Sequence, residues 1–494
     1  MEHTAGVRGS KYGCCATDRH SPGGVPQNIT FGPLGAPARA RFTGARPSVA
    51  PAAHPAGATG YTTGHQTLRR CTRELSGRRP AGPDTSAWIP AVPAGRAPVG
   101  KAGSATRWHA EVVDVVLDPM RPDLRLGRTP IPVVGRARVY VCGITPYAVT
   151  HLGHAATYLW TDLTARVWRA AGVQVELARN ITDVDDAMFA EARRLGMPFD
   201  QVAAMQRFSF DRSMSALGIQ PPDHEPTARA AVTRVIELTT ALLRAGHAYE
   251  RNGTVYARTA EAADRAGLDR AAAIALAAEF NDDPRDPNRD DPLDVAVWRA
   301  DPADGEFPSW PSPWGPGRPG WHAECAAMVL STFGSSIDLH VGGADLRFPH
   351  HAVESLLAEQ ATGVRPFARA WLHPGTVRVG GVKMSKSLGN LAFVDDLLTR
   401  HTPSALRLLC LGRAWDADWD FDESAFGAAE AALDALYAAA ARPGGGGGGE
   451  RESPAAAEVD AALLDNLDTV RAQAVALEAG GDAARRFISV LGLI

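Results

Sequence analysis

Apolar and polar positions alternate with a period of two over Ala137-Arg-Val-Tyr-Val141, which predicts a strand running into Cys142. Beyond Gly153 the period lengthens to that of a helix, with Ala156, Tyr158, Leu159, Leu163, Val167 and Trp168 on the apolar side. Val173-Gln-Val-Glu-Leu177 reads as the next strand, ending at Asn180-Ile-Thr-Asp-Val-Asp-Asp186. Strand, helix, strand at this spacing predicts a parallel βαβ unit. Helical spacing continues from 187 to about 250 through Met205, Phe208, Phe210, Leu217, Val235, Ile236 and Leu242. The polar, proline-broken run from Glu279-Phe-Asn-Asp-Asp-Pro284 to Asp294 predicts a loop. Helices are expected from 388 to about 441, including an alanine-rich one from Ser424. Gly444 to Gly449 predicts a flexible linker, and helices near 455–480 and 483–493 follow.

Residues 1 to about 105 show no sustained apolar periodicity and are rich in Gly, Pro, Ala, Arg, Ser and Thr. Such a segment buries too little surface to offset its ordering entropy, so disorder is expected there. Its Arg-rich, acid-poor character also fits a transit peptide, or coding sequence read from a start codon placed too far upstream. Cys14, Cys15 and Cys71 lie in it and receive no role.

Composition narrows the class. The 494 residues leave room for two or three domains, and 45% hydrophobic with 21% charged residues is ordinary for a soluble enzyme. A net charge of −4 gives no global basic signature for nucleic acid. No apolar run reaches the length of a membrane span, and the start lacks the compact apolar stretch of a secretory signal. Six cysteines are too few for a disulfide scaffold, so a reducing cytoplasm is the expected location.

The candidate chemistry lies in five short motifs. Tyr140-Val-Cys-Gly-Ile-Thr-Pro-Tyr147, Trp321-His-Ala-Glu-Cys325 and Phe348-Pro-His-His-Ala-Val-Glu354 supply two thiolates and an imidazole. Cys142, Cys325 and His350 make a three-ligand zinc set with an open position, the pattern of a working zinc. Glu354, one turn past His350, is a possible fourth ligand or else a partner of the zinc site or of His351. His151-Leu-Gly-His154 sits where a strand gives way to a helix, a place that favours phosphate. Lys383-Met-Ser-Lys-Ser387 offers two mobile cations for a triphosphate. Plainer readings compete: a lone buried Cys is usually a core residue, and Cys410 is expected to be one. Asp183, Asp185 and Asp186 read as capping and polar contacts at a helix start. Trp415-Asp-Ala-Asp-Trp-Asp-Phe421 reads as a packed surface turn.

In combination these motifs resemble the class I cysteine-activating enzymes over roughly residues 136 to 494. Two branches are similar. One is cysteinyl-tRNA synthetase; the other is the mycothiol-pathway ligase, which joins cysteine to the amine of glucosaminyl-inositol. Cys142-Gly-Ile-Thr-Pro-Tyr147 with Thr150-His-Leu-Gly-His-Ala-Ala-Thr157 looks like the mycothiol branch. Roughly a hundred residues follow Ser387, shorter than the usual tRNA enzyme, which favours a small-molecule acceptor. There are departures: Glu279-Phe-Asn-Asp-Asp-Pro284 stands where that branch has Glu-Arg-Gly-Gly-Asp-Pro. Gly342-Gly-Ala-Asp345 replaces Gly-Gly-Ser-Asp, and Tyr147-Ala148 replaces a Tyr-Asp pair.

The resemblance implies an α/β fold: a class I aminoacyl-tRNA-synthetase-like Rossmann sheet with an insertion, followed by a helical C-terminal region. The corresponding divisions are 1–105, 106–392 with the insertion at about 256–318, 393–442, a linker at 443–454, and helices at 455–494. It further implies an ATP-dependent ligase that forms cysteinyl-adenylate on one zinc per chain, with Mg²⁺ on the ATP, and passes cysteine to a small amino-sugar. A tRNA acceptor, another amine, or a silent cysteine- or nucleotide-binding paralogue are the alternatives. His151, His154, Lys383 and Lys386 are the implied catalytic residues. Cys142, Gly143, Ile144, Thr145, Thr157, Asn180, Ile181, Thr182, Trp321, Gly343, Ala344, Asp345 and Val377 are the implied substrate contacts. The expected chain is a monomer without a membrane partner.

Overall fold

The computed structural model describes residues 123–146, 150–280, 283–302, 307–384, 388–444 and 453–493, all in the unit Arg107–Ile494. Expectations for residues 1–105, Tyr147, Ala148, Asn281, Asp282, Lys386 and Gly445–Gly449 lie outside the described residues.

A short hairpin, β1 (Leu124–Leu126) and β2 (Thr129–Ile131), leads into β3 (Arg136–Ile144). Side chains along a strand point alternately to its two faces. Val139 and Val141 enter the core shared with α1 (Leu152–Ala170), while Tyr140 and Cys142 enter a second core containing α7 (Trp321–Phe333). The strand is therefore buried on both faces. β4 (Gln174–Ile181) returns parallel to β3, with Arg136 opposite Gln174 and Val141 opposite Arg179. The expected βαβ unit is present.

Three helices follow: α2 (Asp186–Leu195), α3 (Phe199–Ala216) and α4 (Ala228–Arg244). The Asp185 carboxylate caps α2 by accepting from the Ala187 and Met188 N–H groups, and Asp183 accepts from Arg229 N–H at the start of α4. Asp186 pairs with Arg299 and Arg318. Met205 and Phe208 lie in α3 as the helical spacing predicts, with both side chains exposed, Phe208 by 71%. One expectation needs correction here. Helix stops at Arg244 rather than near 250: Gly246 takes a positive φ just past it, and Asn252 and Gly253, also at positive φ, turn a hairpin between β5 (Ala248–Arg251) and β6 (Thr254–Ala257). Then come α5 (Glu261–Arg265), α6 (Arg270–Glu279), β7 (Val295–Ala300) and β8 (Gly317–Pro319). Strands β5, β6, β7 and β8 form an antiparallel sheet inserted between β4 and the rest of the main sheet.

The main sheet is completed by β9 (Ile337–Val341) and, after α8 (His350–Thr362), by β10 (Ala368–Leu372). Its order is β10-β9-β3-β4 with all strands parallel. The chain leaves β3 on one side and re-enters on the other, so a crevice opens past the carboxyl ends of β3 and β9. A hairpin of β11 (Val377–Val379) and β12 (Val382–Lys383) borders that crevice. The run at 415–421 is more than a turn, since β13 (Trp419–Asp420) pairs in parallel with β11.

Helices α9 (Val394–Leu398), α10 (Pro403–Leu411), α11 (Ala425–Ala440), α12 (Pro454–Leu464), α13 (Thr469–Ala479) and α14 (Gly481–Leu491) complete the described chain. Leu406, Leu409, Leu464 and Phe487 share one core with Leu159 and Leu163 of α1, and Cys410 is buried in it as expected. Fully buried Arg407 of α10 donates to the Asp162 carboxylate at 2.7 Å, to Leu217 O at 3.0 Å and to Leu491 O at 2.8 Å. No helix among the described residues is long and apolar enough to cross a membrane.

Candidate active site

A cavity of about 610 Å³ opens where the parallel strands end. Cys142 to Thr145 leave β3 into it, and Asn180 and Thr182 flank the end of β4. Gly343, Ala344 and Asp345 follow β9, Val377 starts β11, and His151, His154 and Thr157 line it from α1. Trp321, Cys325, His350 and Lys383 complete the predicted set found on its walls. Among the described residues Ile181 and Glu354 are the exceptions: alternation along β4 turns the Ile181 side chain into the core, and Glu354 is buried behind the wall.

Cys142, Cys325 and His350 come from β3, α7 and α8, yet their ligand atoms all lie within 4.8 Å of one another. All three are buried, both thiols are free, and His350 Nε2 has no hydrogen-bond partner. Two unpaired thiols facing an unsatisfied imidazole nitrogen fit the N/S donor set that zinc takes. Burial pushes the Cys142 thiol up. Cys325 is raised first by its hydrogen bond with Cys142 and then by burial. Burial also pulls His350 down. These groups are neutral by themselves, and a divalent cation reverses that preference for the thiols. Asn180 Nδ2 donates to Cys325 Sγ at 3.5 Å, and the Trp321 ring stacks on His350 with centroids 4.0 Å apart.

Glu354 stands between two groups. Its Oε2 lies 4.0 Å from Cys142 Sγ and 3.9 Å from His350 Nε2, while Oε1 meets His340 Nε2 at 3.0 Å. With Cys142, His340 and His351 it forms a second buried cluster able to hold a metal. His351 Nε2 is 3.3 Å from Cys142 Sγ, and its Nδ1 meets His373 Nε2 at 2.8 Å. His340 and His373 are absent from the sequence reading. The available signal was a buried histidine inside the apolar strand Ile337-Asp-Leu-His-Val341. Tyr158 was also missed as a contact; its hydroxyl donates to Cys142 O at 3.2 Å.

At the other end of the cavity His151 and His154 stack with centroids 3.8 Å apart. His151 Nδ1 accepts from Gly153 N–H at 3.1 Å, which places its proton on Nε2. Burial lowers His151 to about 4 and His154 to about 3, so both are neutral at pH 7. A Cβ on Gly153 would stand 3.0 Å from His151 Cε1; the folded-back ring accounts for this glycine. Gly143 is required more strictly, because a Cβ there would lie 1.5 Å from Asn180 O. Its N–H donates to Asn180 Oδ1 at 2.8 Å, and Thr145 and Thr182 join through their hydroxyls at 2.9 Å. Lys383 Nζ pairs with Asp345 at 2.7 Å.

Residues 131–431 match the family described as tRNA synthetases class I (C) catalytic domain. The chain belongs to this family. It is an ATP-dependent ligase of the class I type. Among curated relatives of the family, one from Parafrankia sp. (strain EAN1pec) is 43% identical over 351 residues, covering 70% of this chain and 78% of the relative. Another, from Mycobacterium marinum, is 44% identical over 325 residues, with 63% and 78% covered. Both are named L-cysteine:1D-myo-inositol 2-amino-2-deoxy-alpha-D-glucopyranoside ligase. Among solved structures, Mycobacterium tuberculosis methionyl-tRNA synthetase bound by methionyl-adenylate superposes with a TM-score of 0.51 at 17% identity, covering 72% of this chain and 84% of that one. Agrobacterium radiobacter K84 agnB2 LeuRS, in a ternary complex with tRNA and LeuAMS, gives 0.51 at 11% identity over 76% and 85%. These two likenesses bear out the class I synthetase-like α/β fold with a helical C-terminal region.

Proposed function

We propose that this chain uses ATP to activate L-cysteine and passes the cysteinyl group to the amine of glucosaminyl-inositol, a step of mycothiol biosynthesis. The supporting observation is one cavity that joins a thiol-selective donor set to a paired-histidine helix start, in a chain similar to ligases named for that acceptor. Cys142, Cys325 and His350 would hold zinc, with Glu354 beside them. Bound zinc supplies a soft Lewis acid that separates a thiol from the hydroxyl of serine, which an apolar pocket alone does weakly.

The chain's own groups do the rest. Asn180 orients Cys325, Tyr158 anchors the Cys142 backbone, and Trp321 walls the amino-acid end. His151 offers its Nε2–H, and the start of α1 its backbone N–H groups, to oxygens of the α-phosphate. Lys383, on an exposed hairpin, carries three N–H donors and so reaches the outer phosphates while still donating to Asp345. The cysteine carboxylate attacks the α-phosphate and pyrophosphate leaves. The acceptor nitrogen then attacks the carbonyl carbon, the bond to the phosphate oxygen breaks, and AMP leaves.

The test offers the protein cysteine, ATP, Mg²⁺ and zinc with glucosaminyl-inositol and cysteine tRNA together, and identifies products by mass. Cysteinyl glucosaminyl-inositol is expected. Charged tRNA instead would place the chain in translation, and absence of cysteine-dependent pyrophosphate exchange would make it a silent binding paralogue.

A further inference from the structure

We propose that Glu279 receives the ammonium group of the acceptor and takes its proton, an inference that rests on reading the chain as an amine-acylating ligase. An alkyl amine is largely protonated near pH 7 and has no lone pair to attack with until that proton leaves. The cavity therefore has to present a base to the acceptor. Its other titratable walls are engaged elsewhere. Asp345 is held by Lys383 at 2.7 Å, His151 and His154 stack on each other, and Cys142, Cys325 and His350 form the metal set. Glu279 is the remaining carboxylate on the wall among the described residues.

Its place is built rather than incidental. Glu279 is the last residue of α6, and the next ring, Phe280, stacks on Trp321 with centroids 6.1 Å apart and planes 20° apart. Trp321 in turn stacks on His350. Aromatic pairs at such offsets are favourable and directional. This column of rings ties the end of α6, which comes from the inserted region, to the metal end of the cavity. The Glu279 side chain is exposed, so water reaches it and can carry a proton away. The step balances: one ammonium proton moves to the Glu279 carboxylate, the freed lone pair forms the C–N bond, the C–O bond pair departs with AMP, and the second proton leaves the acylated nitrogen for the departing phosphate or water. The carboxylic acid then returns its proton to solvent.

The full chain with zinc, Glu279→Gln and Glu279→Asp are compared for amide formation with glucosaminyl-inositol, plain glucosamine and hydroxylamine, the last being uncharged at pH 7. Glu279→Gln is expected to lower transfer to the two aminosugars by roughly a hundredfold relative to hydroxylamine capture. Glu279→Asp should restore part of the loss, and the lost rate should return as pH rises and the free amine becomes abundant. Equal loss with all three nucleophiles, or no loss, overturns the proposal. Wild-type transfer to glucosamine but not to glucosaminyl-inositol would remove the proposed acceptor while Glu279 is still scored on glucosamine. Transfer to neither would remove both.

Discussion

His151 and His154 face each other at 3.8 Å in a half-buried setting, where two positive charges would repel. Their pKa values, about 4 and about 3, lie below the 6.5 of an unfolded histidine. Between those values the unfolded chain binds protons that the folded chain refuses. Their contribution is therefore fully present above pH 6.5 and is lost as pH falls toward 4 and then 3. His154→Gln should flatten the dependence of unfolding free energy on pH in that window by about 1 kcal/mol per pH unit, measured by urea titrations from pH 7 to 4. An unchanged slope would contradict the burial argument. At the metal set, Cys325→Ser and His350→Ala should leave the purified protein without bound zinc, read by elemental analysis. His340→Ala, which frees Glu354 Oε1, should weaken zinc binding by roughly 10–100-fold, read by chelator competition. Cys142, Cys325 and His350 were legible because each lies in a short motif at an element end. His340 and His373 were not, because only the pairing of β9 and β10 brings them to the same cluster.

Among elements, the closest approach is that of β3 to β4 at Gly143. Gly143→Ala should cost more than about 4 kcal/mol, since the added carbon cannot occupy the space of Asn180 O without separating the strands. Chemical denaturation, or loss of soluble protein, would report it; a variant of wild-type stability would rule the contact out. The βαβ unit was legible because its periods of two and 3.6 are clean and its strands are long. The inserted sheet was not. The Asn252-Gly253 dipeptide is a strong hairpin signal, but the first strand of that hairpin, β5, falls largely inside the helical spacing that runs to about 250. β8 has three residues including Pro319, and β13 has two. Segments that short carry no pattern of their own, and their partners decide that they are strands.

Among the described residues, the largest core runs from the main sheet into the C-terminal helices, with Arg407 as its polar node. Arg407→Met should destabilise the protein by about 3–5 kcal/mol, because Leu217 O and Leu491 O lose a buried donor and Asp162 loses one of its two arginines. Denaturant unfolding checks it, and cysteine-dependent pyrophosphate exchange should fall with it, since α1 carries His151 and His154. The same node has a consequence in time. Asp162 is joined to the growing chain 245 residues before Arg407, and Leu491 comes 84 residues later still. At roughly 5–20 residues per second, the nucleotide-side helix waits on the order of 10–50 seconds on the ribosome before its buried carboxylate meets the arginine. A nascent chain can thus hold every histidine and cysteine of the site while the platform beneath them is still open.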